Sequence, residues 1–316
     1  MTAPAARGRP GSLANAALLV MILLIGIAIV WQVSRPAPLP PYVPGTPIPE
    51  PVGAEVIIAA GDIATCDTNH DEGTARVVEG IEGTVLALGD NAYETGSPTE
   101  YRDCYGPTWG RFKDRTRPVP GNHEYETPEA AGYFGYFGAA VGTAAQPWYA
   151  YDLGAWRLYA LDSGCSVDDR CDAAAELAWI QSDLAANPRQ CVLAYWHQPR
   201  FSSGRHGDNV EMQPLWAELA TAGADVVLQG HDHLYERFAP IDGLGDIETA
   251  TGIRSWVLGT GGGEVYEFHD IRAGSEVRDA GAFGVLVMTL RADSYDWRFA
   301  SSEEGSFFDS GTGQCH

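Results

Sequence analysis

The sequence predicts an α/β fold in which two β-sheets pack as a sandwich with helices on their outer faces. From residue 55 to about residue 230, short apolar runs alternate with helical patterns. After residue 255, apolar runs follow one another with no helical pattern between them. Strands that alternate with helices and are then followed by strands alone predict two sheets flanked by helices, with the functional site at one edge.

Seven apolar runs are the candidate strands. They are residues 56–60, 85–88, 191–196, 226–229, 255–258, 285–290 and 294–300. The first four are short continuous runs that end at glycine, histidine or other polar residues, which is typical of buried strands. In an open α/β sheet, ligands gather beyond the carboxyl ends of the strands. We therefore expect the residues that follow these runs to meet in one crevice.

Two segments have the pattern of an amphipathic helix. In residues 172–187 the apolar positions include Trp179 and Ile180, and Pro188 ends the pattern. Residues 211–222 form the second helix, which Gly223 ends.

The N-terminal region predicts export. Residues 1–15 carry Arg7 and Arg9 and no acid, and an unbroken apolar run follows. With its flanks this run is about 21 residues, or ~31 Å as a helix, enough to cross a bilayer. Basic residues before it favour a cytoplasmic N-terminus and an exported C-terminal domain. We predict a cytoplasmic segment over residues 1–15 and a signal anchor, contacting the membrane, over residues 16–33.

Whether the anchor is cleaved stays open. No clean small-x-small cleavage site follows Trp31, which favours an uncleaved anchor over secretion. Eight of the sixteen residues from 36 to 51 are proline, so residues 34–52 are predicted to be an extended linker. The folded domain is expected over residues 53–316, with no second linker or repeat.

The formal net charge is −22. Such a field repels polyanions and argues against a nucleic-acid partner. A small anionic ligand can still bind such a protein where local positive charge is supplied. The sequence does not indicate an oligomeric state.

The chain has six cysteines and no CxxC motif, which suits an exported domain with up to three disulfides. We expect Cys165 to pair with Cys171 across a short polar loop. Cys191 and Cys315 are the other expected pair, which would tie the C-terminus to the sheet.

Five short motifs, in order along the chain, end in side chains that bind metals. They are Gly61-Asp62, Gly89-Asp90-Asn91-Ala92-Tyr93, Gly121-Asn122-His123-Glu124, His197, and Gly230-His231-Asp232-His233. Alone, a Gly-Asp pair is usually a turn and a single histidine is often a satisfied core residue. Together and in order, the five motifs predict a two-metal site.

The chemistry of these side chains fits that site. Carboxylate, phenolate and carbonyl oxygens suit Fe(III), Mn(II) or Mg(II), and imidazole extends the choice to Zn(II) and Fe(II). A carboxylate has two oxygens and can bridge metals roughly 3.5 to 4 Å apart, so Asp90 suits a shared position.

The set of motifs resembles the calcineurin-like metallophosphoesterase superfamily and, within it, the purple acid phosphatases. Tyr93 in Gly-Asp-x-x-Tyr separates that subgroup, and Ala64 stands where most members of the superfamily carry a metal-binding histidine. The resemblance covers roughly residues 55–240. It implies a four-layer α/β/β/α fold and two metal ions per chain, Fe(III) with Fe(II), Zn(II) or Mn(II).

The resemblance also implies which side chains bind each metal. One metal would take Asp62, Asp90, Tyr93 and His233, and the other would take Asp90, Asn122, His197 and His231.

Further residues are expected to act on the substrate. Asn122 and His123 would contact a phosphate oxygen, and His206, nine residues after His197, would protonate the leaving group. The resembled family sometimes has a second histidine where this chain has Gly207, which leaves the details of that protonation open.

Arg200 and Arg205 are candidate phosphate ligands, although exposed surface charges are an equal alternative. Glu124 is expected to hydrogen-bond a neighbouring histidine. His70, followed by Asp71, lacks the other residues of an HD-type site and is predicted to lie on the surface.

These observations predict an exported dinuclear-metal enzyme that hydrolyses small phosphate monoesters by attack of a metal-activated hydroxide on phosphorus. A phosphodiesterase or a nucleotidase on the same site is the nearest alternative. A non-catalytic cell-surface binding domain is the alternative of another class.

Overall fold

The computed structural model describes residues 53–303 and 305–316. The predicted cytoplasmic segment, anchor and linker lie outside these residues. Within the described part of the chain, no helix is both long and apolar enough to cross a membrane.

Twelve strands are present in the described residues. They are β1 (Glu55–Ala60), β2 (Thr84–Ala87), β3 (Tyr149–Leu153), β4 (Trp156–Ala160), β5 (Cys191–Tyr195), β6 (Val226–Gln229), β7 (Tyr235–Phe238), β8 (Arg254–Leu258), β9 (Ser275–Asp279), β10 (Gly284–Leu290), β11 (Ser294–Ser301) and β12 (Ser310–Gln314). The α-helices are α1 (His70–Glu79), α2 (Pro98–Glu100), α3 (Ala131–Phe137), α4 (Ser163–Val167), α5 (Ala173–Ala186) and α6 (Gln213–Thr221). Single turns of 3-10 or π-helix join several of them.

The described strands form two mixed sheets. One has five strands in the order β12-β11-β10-β1-β2, and the other has seven in the order β3-β4-β5-β6-β8-β7-β9. β1 and β2 are parallel, as are β4, β5, β6 and β8. The remaining pairs are antiparallel, including those made by β10, β11 and β12.

Alternate residues of the central strands face two different cores. Ile57 and Ala59 of β1 pack between the sheets, whereas Ile58 packs with Val78 of α1 on the outer face. β5 does the same, with Leu193 between the sheets and Val192 in the outer core beneath α5 and α6. Strands buried on both faces read as continuous apolar runs, which explains why their sequence signal is strong. The layers are helices, sheet, sheet and helices, as predicted.

All seven predicted strands and both predicted helices are present, with ends that differ by one or two residues. The helices α1 to α4 and the strands β3, β4, β7, β9 and β12 were not predicted. β3 is only partly buried and β12 is the glycine-rich segment Ser310–Gln314. Such strands have no apolar run to identify them.

Three disulfides join the six cysteines, all of which lie in the described residues. Cys165–Cys171 and Cys191–Cys315 confirm the two expected pairs. The third disulfide, Cys66–Cys104, ties the loop after β1 to the segment after α2.

His70 is exposed and stacks on Phe283, in agreement with the prediction of a surface residue.

Candidate metal centre

The carboxyl ends of strands from both sheets meet at one edge of the sandwich. Asp62 follows β1 by two residues, His197 follows β5 by two, and His231 follows β6 by two. Asp90 follows β2 by three residues. The loops hydrogen-bond to each other, from Asp62 N to Gly89 O at 3.0 Å and from Gly61 N to Leu258 O at 2.9 Å. The motifs from both sheets therefore lie close together at this edge.

The Asn122 motif reaches this edge by a different route. The chain before it runs beside β2, where Arg117 N donates to Val85 O at 2.7 Å and Val119 N donates to Ala87 O at 2.9 Å. This short parallel pairing carries Asn122 to the same end of the sheet as Asp90.

Glycine is required before the ligands because the motif loops are tightly packed. A Cβ atom on Gly89 would lie 2.6 Å from His197 Nδ1, and one on Gly121 would collide with the Asp90 carboxylate. Asp62, Asp90 and His231 themselves have positive φ angles of 60°, 47° and 75°. Non-glycine residues in that region cost free energy and cluster at functional sites.

Four of the side chains form a first group around the Tyr93 hydroxyl. That hydroxyl donates to Asp62 Oδ1 at 3.0 Å, lies 2.9 Å from His233 Nε2 and is 3.4 Å from Asp90 Oδ2. His233 Nε2 is also 3.2 Å from Asp62 Oδ1.

A second group forms around His197 Nε2. This nitrogen lies 3.1 Å from Asp90 Oδ2, 3.2 Å from Asn122 Oδ1 and 3.3 Å from His231 Nδ1. Asp90 Oδ2 belongs to both groups. The two groups share one carboxylate oxygen and have the same membership as the two predicted ligand sets.

The outward-facing atoms of these residues are held by the backbone. Asp62 Oδ2 accepts from His231 N at 2.8 Å, and Asp90 Oδ1 accepts from His123 N at 2.9 Å. His197 Nδ1 lies 2.9 Å from Leu88 O. Each carboxylate thus has one oxygen fixed by the chain and the other turned to the centre, which is how metal ligands are oriented.

The electrostatics are those of a concentrated donor set. Burial opposes ionisation of Asp62 and Asp90, but the neighbouring histidines outweigh it and lower the pKa of both carboxyls. Burial also opposes protonation of His197, yet the adjoining Asp90 raises the pKa of that imidazole to about 10. Burial, then the charges of Asp62 and Asp90, raise the pKa of Tyr93 well above its ordinary range. A nearby metal cation of high charge lowers the pKa of a tyrosine hydroxyl such as that of Tyr93, because it favours the phenolate.

This donor set fits a pair of metal ions. It offers carboxylate, phenol and amide oxygens with three imidazoles, and Asp90, His197 and His231 can place one donor atom each within 4.8 Å of one another. Buried carboxylates with converging imidazoles are the arrangement that transition metals select.

Comparison with known proteins agrees with this geometry. The sequence model of the family described as "Calcineurin-like phosphoesterase" matches residues 50–235, and this range is more than half of the chain. The chain belongs to the calcineurin-like phosphoesterase family. It is 28% identical to purple acid phosphatase 15 of Arabidopsis thaliana over 218 residues, 57% of this chain and 40% of the relative. The resemblance to purple acid phosphatases is thereby confirmed.

Solved structures share the fold of this phosphoesterase-family chain. A purple acid phosphatase from yellow lupin (Lupinus luteus) seeds superposes with a TM-score of 0.66 at 18% identity, covering 86% of this chain and 55% of that one. GAP50, described as the anchor in the inner membrane complex of Plasmodium, gives 0.63 at 14% identity, covering 83% and 89%. The chain spans about two fifths of the length of the curated relatives it matches.

Two further histidines of this calcineurin-like chain lie beside the donor groups. His123 Nδ1 is 2.6 Å from Glu94 O, and its Nε2 faces Asp90 Oδ2 at 3.9 Å. The exposed His206 packs its ring 4.3 Å from that of His231, and its Nδ1 lies 3.0 Å from Asp232 Oδ1. Both predicted substrate histidines are therefore at the centre.

The two arginines differ in position. Arg205 is exposed, and its guanidinium lies 5.5 Å from the centroid of the Tyr266 ring, which in turn stacks on His233. Arg200 is buried and donates to Gln213 Oε1 at 2.8 Å. It also stacks on Phe201 and pairs with Asp208. These contacts engage the Arg200 side chain with other protein groups.

Glu124 has a different partner from the expected histidine. Its Oε1 accepts from Asn91 N at 2.9 Å, and its Oε2 accepts from Gly121 N at 2.7 Å. Tyr101 adds a hydroxyl donor at 3.0 Å. Burial and the charge of Asp90 raise the pKa of Glu124 to about 7. The residue ties two motif loops together through their backbone, which the sequence could not indicate.

Sequence reasoning also missed residues that surround the centre. Asp232, which lies between His231 and His233 in the sequence, is fully buried. Its Oδ2 accepts from the Ser202 hydroxyl at 2.5 Å, and its Oδ1 is the oxygen beside His206. Glu264 O lies 2.5 Å from His233 Nδ1, in the loop that follows β8. The run of glycines at 259 and 261–263 was the available signal, because Gly263 N donates to Asp62 O at 2.8 Å in this loop.

Proposed function

We propose that this protein is an exported dinuclear-metal hydrolase of phosphate monoesters. The observation that carries the proposal is the position of Asp90 Oδ2, which lies 3.1 Å from His197 Nε2 and 3.4 Å from the Tyr93 hydroxyl. One carboxylate oxygen at the junction of two donor groups is what a bridging ligand requires.

In this proposal the two donor groups bind one metal each. Asp62, Asp90, Tyr93 and His233 hold the first, and Asp90, Asn122, His197 and His231 hold the second. A phenolate favours Fe(III) at the first position, and the second accepts Fe(II), Zn(II) or Mn(II). The ions would supply an activated water and positive charge for the phosphoryl oxygens.

The remaining groups bind the substrate and move a proton. His123 directs Nε2 to the centre because Nδ1 is engaged by Glu94 O. The Asn122 amide and the exposed Arg205 are the other proposed donors to the phosphate. His206 has Nδ1 beside Asp232, so Nε2 is the atom that would give a proton to the departing alkoxide.

Export is supported by two independent features. Six of six cysteines are disulfide-bonded, which is usual outside the cytosol. The apolar segment over residues 16–33 supplies a signal, with membrane anchoring if it is retained and secretion if it is cleaved.

A non-catalytic role needs consideration because the fold is shared with an anchor protein of Plasmodium. The complete donor set argues against that role here. A domain that had lost turnover is under no constraint to keep two buried carboxylates against three imidazoles, since buried charge is costly.

The deciding experiment combines metal analysis with turnover. Protein purified with its native metals should contain two ions per chain and hydrolyse nitrophenyl phosphate much faster than bis-nitrophenyl phosphate. Faster cleavage of the diester would support a phosphodiesterase, and preference for nucleotides would support a nucleotidase. Two bound metals without turnover of any ester would support a binding domain.

A further inference from the structure

A cavity of about 270 Å³ opens beside the candidate metal centre. Tyr93, His123 and His233 are among its lining residues, so the cavity adjoins the place where a phosphoryl group would react. Apart from its phosphoryl group, a phosphomonoester bound there has only its alcohol part. The chemistry of the other lining residues therefore bears on which alcohol is accepted.

Three acidic residues are among those other lining residues. They are Asp67, Glu94 and Glu264, and all three are exposed. Within residues 53–303 and 305–316, none of these side-chain carboxylates has a hydrogen-bond or ion-pair partner. Other carboxylates near the centre are occupied, as Asp232 is by His206 and Ser202.

Two of these acids are fixed to the centre through their backbones. Glu94 O lies 2.6 Å from His123 Nδ1, and Glu264 O lies 2.5 Å from His233 Nδ1. Each side chain therefore projects from a residue that also positions a candidate catalytic or metal-binding imidazole. These bonds keep the backbone of both acidic residues next to the centre.

The other residues that line the cavity suit a small polar alcohol. The hydroxyl oxygen of Thr68 is buried and has no hydrogen-bond partner in the described chain. The Tyr266 ring, stacked on His233 at 4.3 Å with an interplanar angle of 12°, gives a rigid aromatic side. The Arg205 guanidinium lies over that ring and does not line the cavity.

Charge decides the specificity of such a cavity. Three acids with no cationic partner attract an ammonium group and repel a second phosphate or a carboxylate. The net charge of −22 adds a long-range field of the same sign.

We propose that this cavity binds the alcohol part of the substrate and selects amino-alcohol phosphate monoesters. The inference rests on the proposed phosphatase function and specifies its substrate class. Esters whose alcohol carries an ammonium group are preferred over neutral esters of the same shape, and esters with a second anionic group are rejected.

The test uses two esters that differ in charge alone. Phosphocholine and 3,3-dimethylbutyl phosphate have the same shape, but only the first carries a cation. The ratio of their kcat/KM values is measured for the full-length protein and for the variants Asp67→Asn, Glu94→Gln and Glu264→Gln. Intrinsic differences between the two leaving groups cancel when ratios are compared.

Each single substitution should lower the ratio roughly two- to threefold, which is the range for one exposed charge pair. The triple variant should lower it about tenfold, and added salt should lower it in the wild type. Glu82→Gln removes an exposed acid just before β2, at the opposite end of the strand from the centre, and is the matched control. A ratio that is unchanged in the triple variant overturns the inference.

Failure of the proposed function would be recognised separately, by the absence of hydrolysis of any ester. In that case calorimetric affinities of the metal-loaded protein for the same two esters decide. A phosphocholine preference that is lost in the triple variant supports the cavity assignment, and equal affinities for the two esters overturn it.

Discussion

One carboxylate oxygen of Asp232 holds His206 at two points. Asp232 Oδ1 accepts from His206 N at 2.9 Å and lies 3.0 Å from Nδ1 of the same residue. The ring is thereby held against His231 although it is exposed to solvent. An exposed histidine fixed at its backbone and at one ring nitrogen presents the other nitrogen in a defined direction.

His206→Ala should leave the metal content intact and slow hydrolysis most for esters with poor leaving groups. A general acid contributes typically about 10²- to 10⁴-fold, and most when the departing alkoxide is basic. We expect a much larger loss on an alkyl phosphate than on nitrophenyl phosphate, measured as kcat/KM. Equal losses on the two esters would indicate phosphate binding instead.

Asp232→Asn is the companion variant for this prediction. Asparagine keeps an acceptor oxygen for His206 N and removes the charge beside Nδ1. If Asp232 acts through His206, its substitution shows the same dependence on the leaving group. A uniform loss on both esters would mean that it supports the loop alone.

Asp90→Asn should leave fewer than two metals per chain and abolish turnover. The variant keeps one acceptor oxygen for His123 N but loses the charged oxygen that lies between the two donor groups. Elemental analysis of the purified variant is the measurement. Full metal content with a near-normal rate would contradict the assignment of Asp90 as the bridge.

Tyr93→Phe should remove a visible charge-transfer band from iron-loaded protein. The hydroxyl lies within 3.4 Å of Asp62, Asp90 and His233, so its loss removes one donor from the first group. The absorption spectra of wild type and variant, each loaded with iron, check the prediction. An iron-loaded wild type without the band would show that Tyr93 is not a ligand.

The parts of the fold that the sequence predicted are those with a local signal. Strands buried on both faces are continuous apolar runs, and β1 and β5 were located for that reason. β3 was missed because its residues are mostly half-buried and include Asp152, and β12 because it is glycine-rich. Strands of that kind form through pairing with neighbours that are distant in sequence, as β12 does with β11.

The residues of the candidate site also divide into those with a local sequence signal and those whose role depends on contacts distant in sequence. Its motifs were found because each contains a distinctive side chain, and four of the five motifs closely follow a strand. The role of Glu124 was not found, since it depends on backbone N–H groups of Gly121 and of Asn91, which is 33 residues earlier. Arg200 stays a predicted phosphate ligand, and its partners Gln213 and Asp208 are likewise set by the tertiary fold, which no local pattern indicates.

Deleting residues 1–35 should yield a soluble domain with the activity of the full-length protein. The cores of the described structure are built from residues after 55. The domain should be produced in an oxidising compartment so that its three disulfides form. Solubility without detergent and turnover of nitrophenyl phosphate are the measurements. A domain that folds only in detergent would show that the apolar segment is part of the structure.

The last prediction concerns a buried acid outside the donor groups. Burial, opposed by hydrogen bonds from the Tyr125 hydroxyl and Gly164 N, raises the pKa of Asp162 to about 6. The folded state therefore holds this proton more tightly than the unfolded state, in which the pKa is near its ordinary value of 3.8. Its contribution to stability is complete below about pH 4 and is lost as the pH rises through about 6. A shift of about two units corresponds to ~3 kcal/mol.

Asp162→Asn removes this titration and keeps acceptor capacity toward Gly164 N. Chemical denaturation of both proteins at intervals from pH 4 to pH 7 gives the free energy of unfolding at each pH. Relative to the variant, the wild type should lose most of that ~3 kcal/mol between pH 4 and pH 7. Glu82→Gln again serves as the control for removal of an acid elsewhere. Parallel stability profiles for the wild type and Asp162→Asn would show that the folded and unfolded states bind this proton equally.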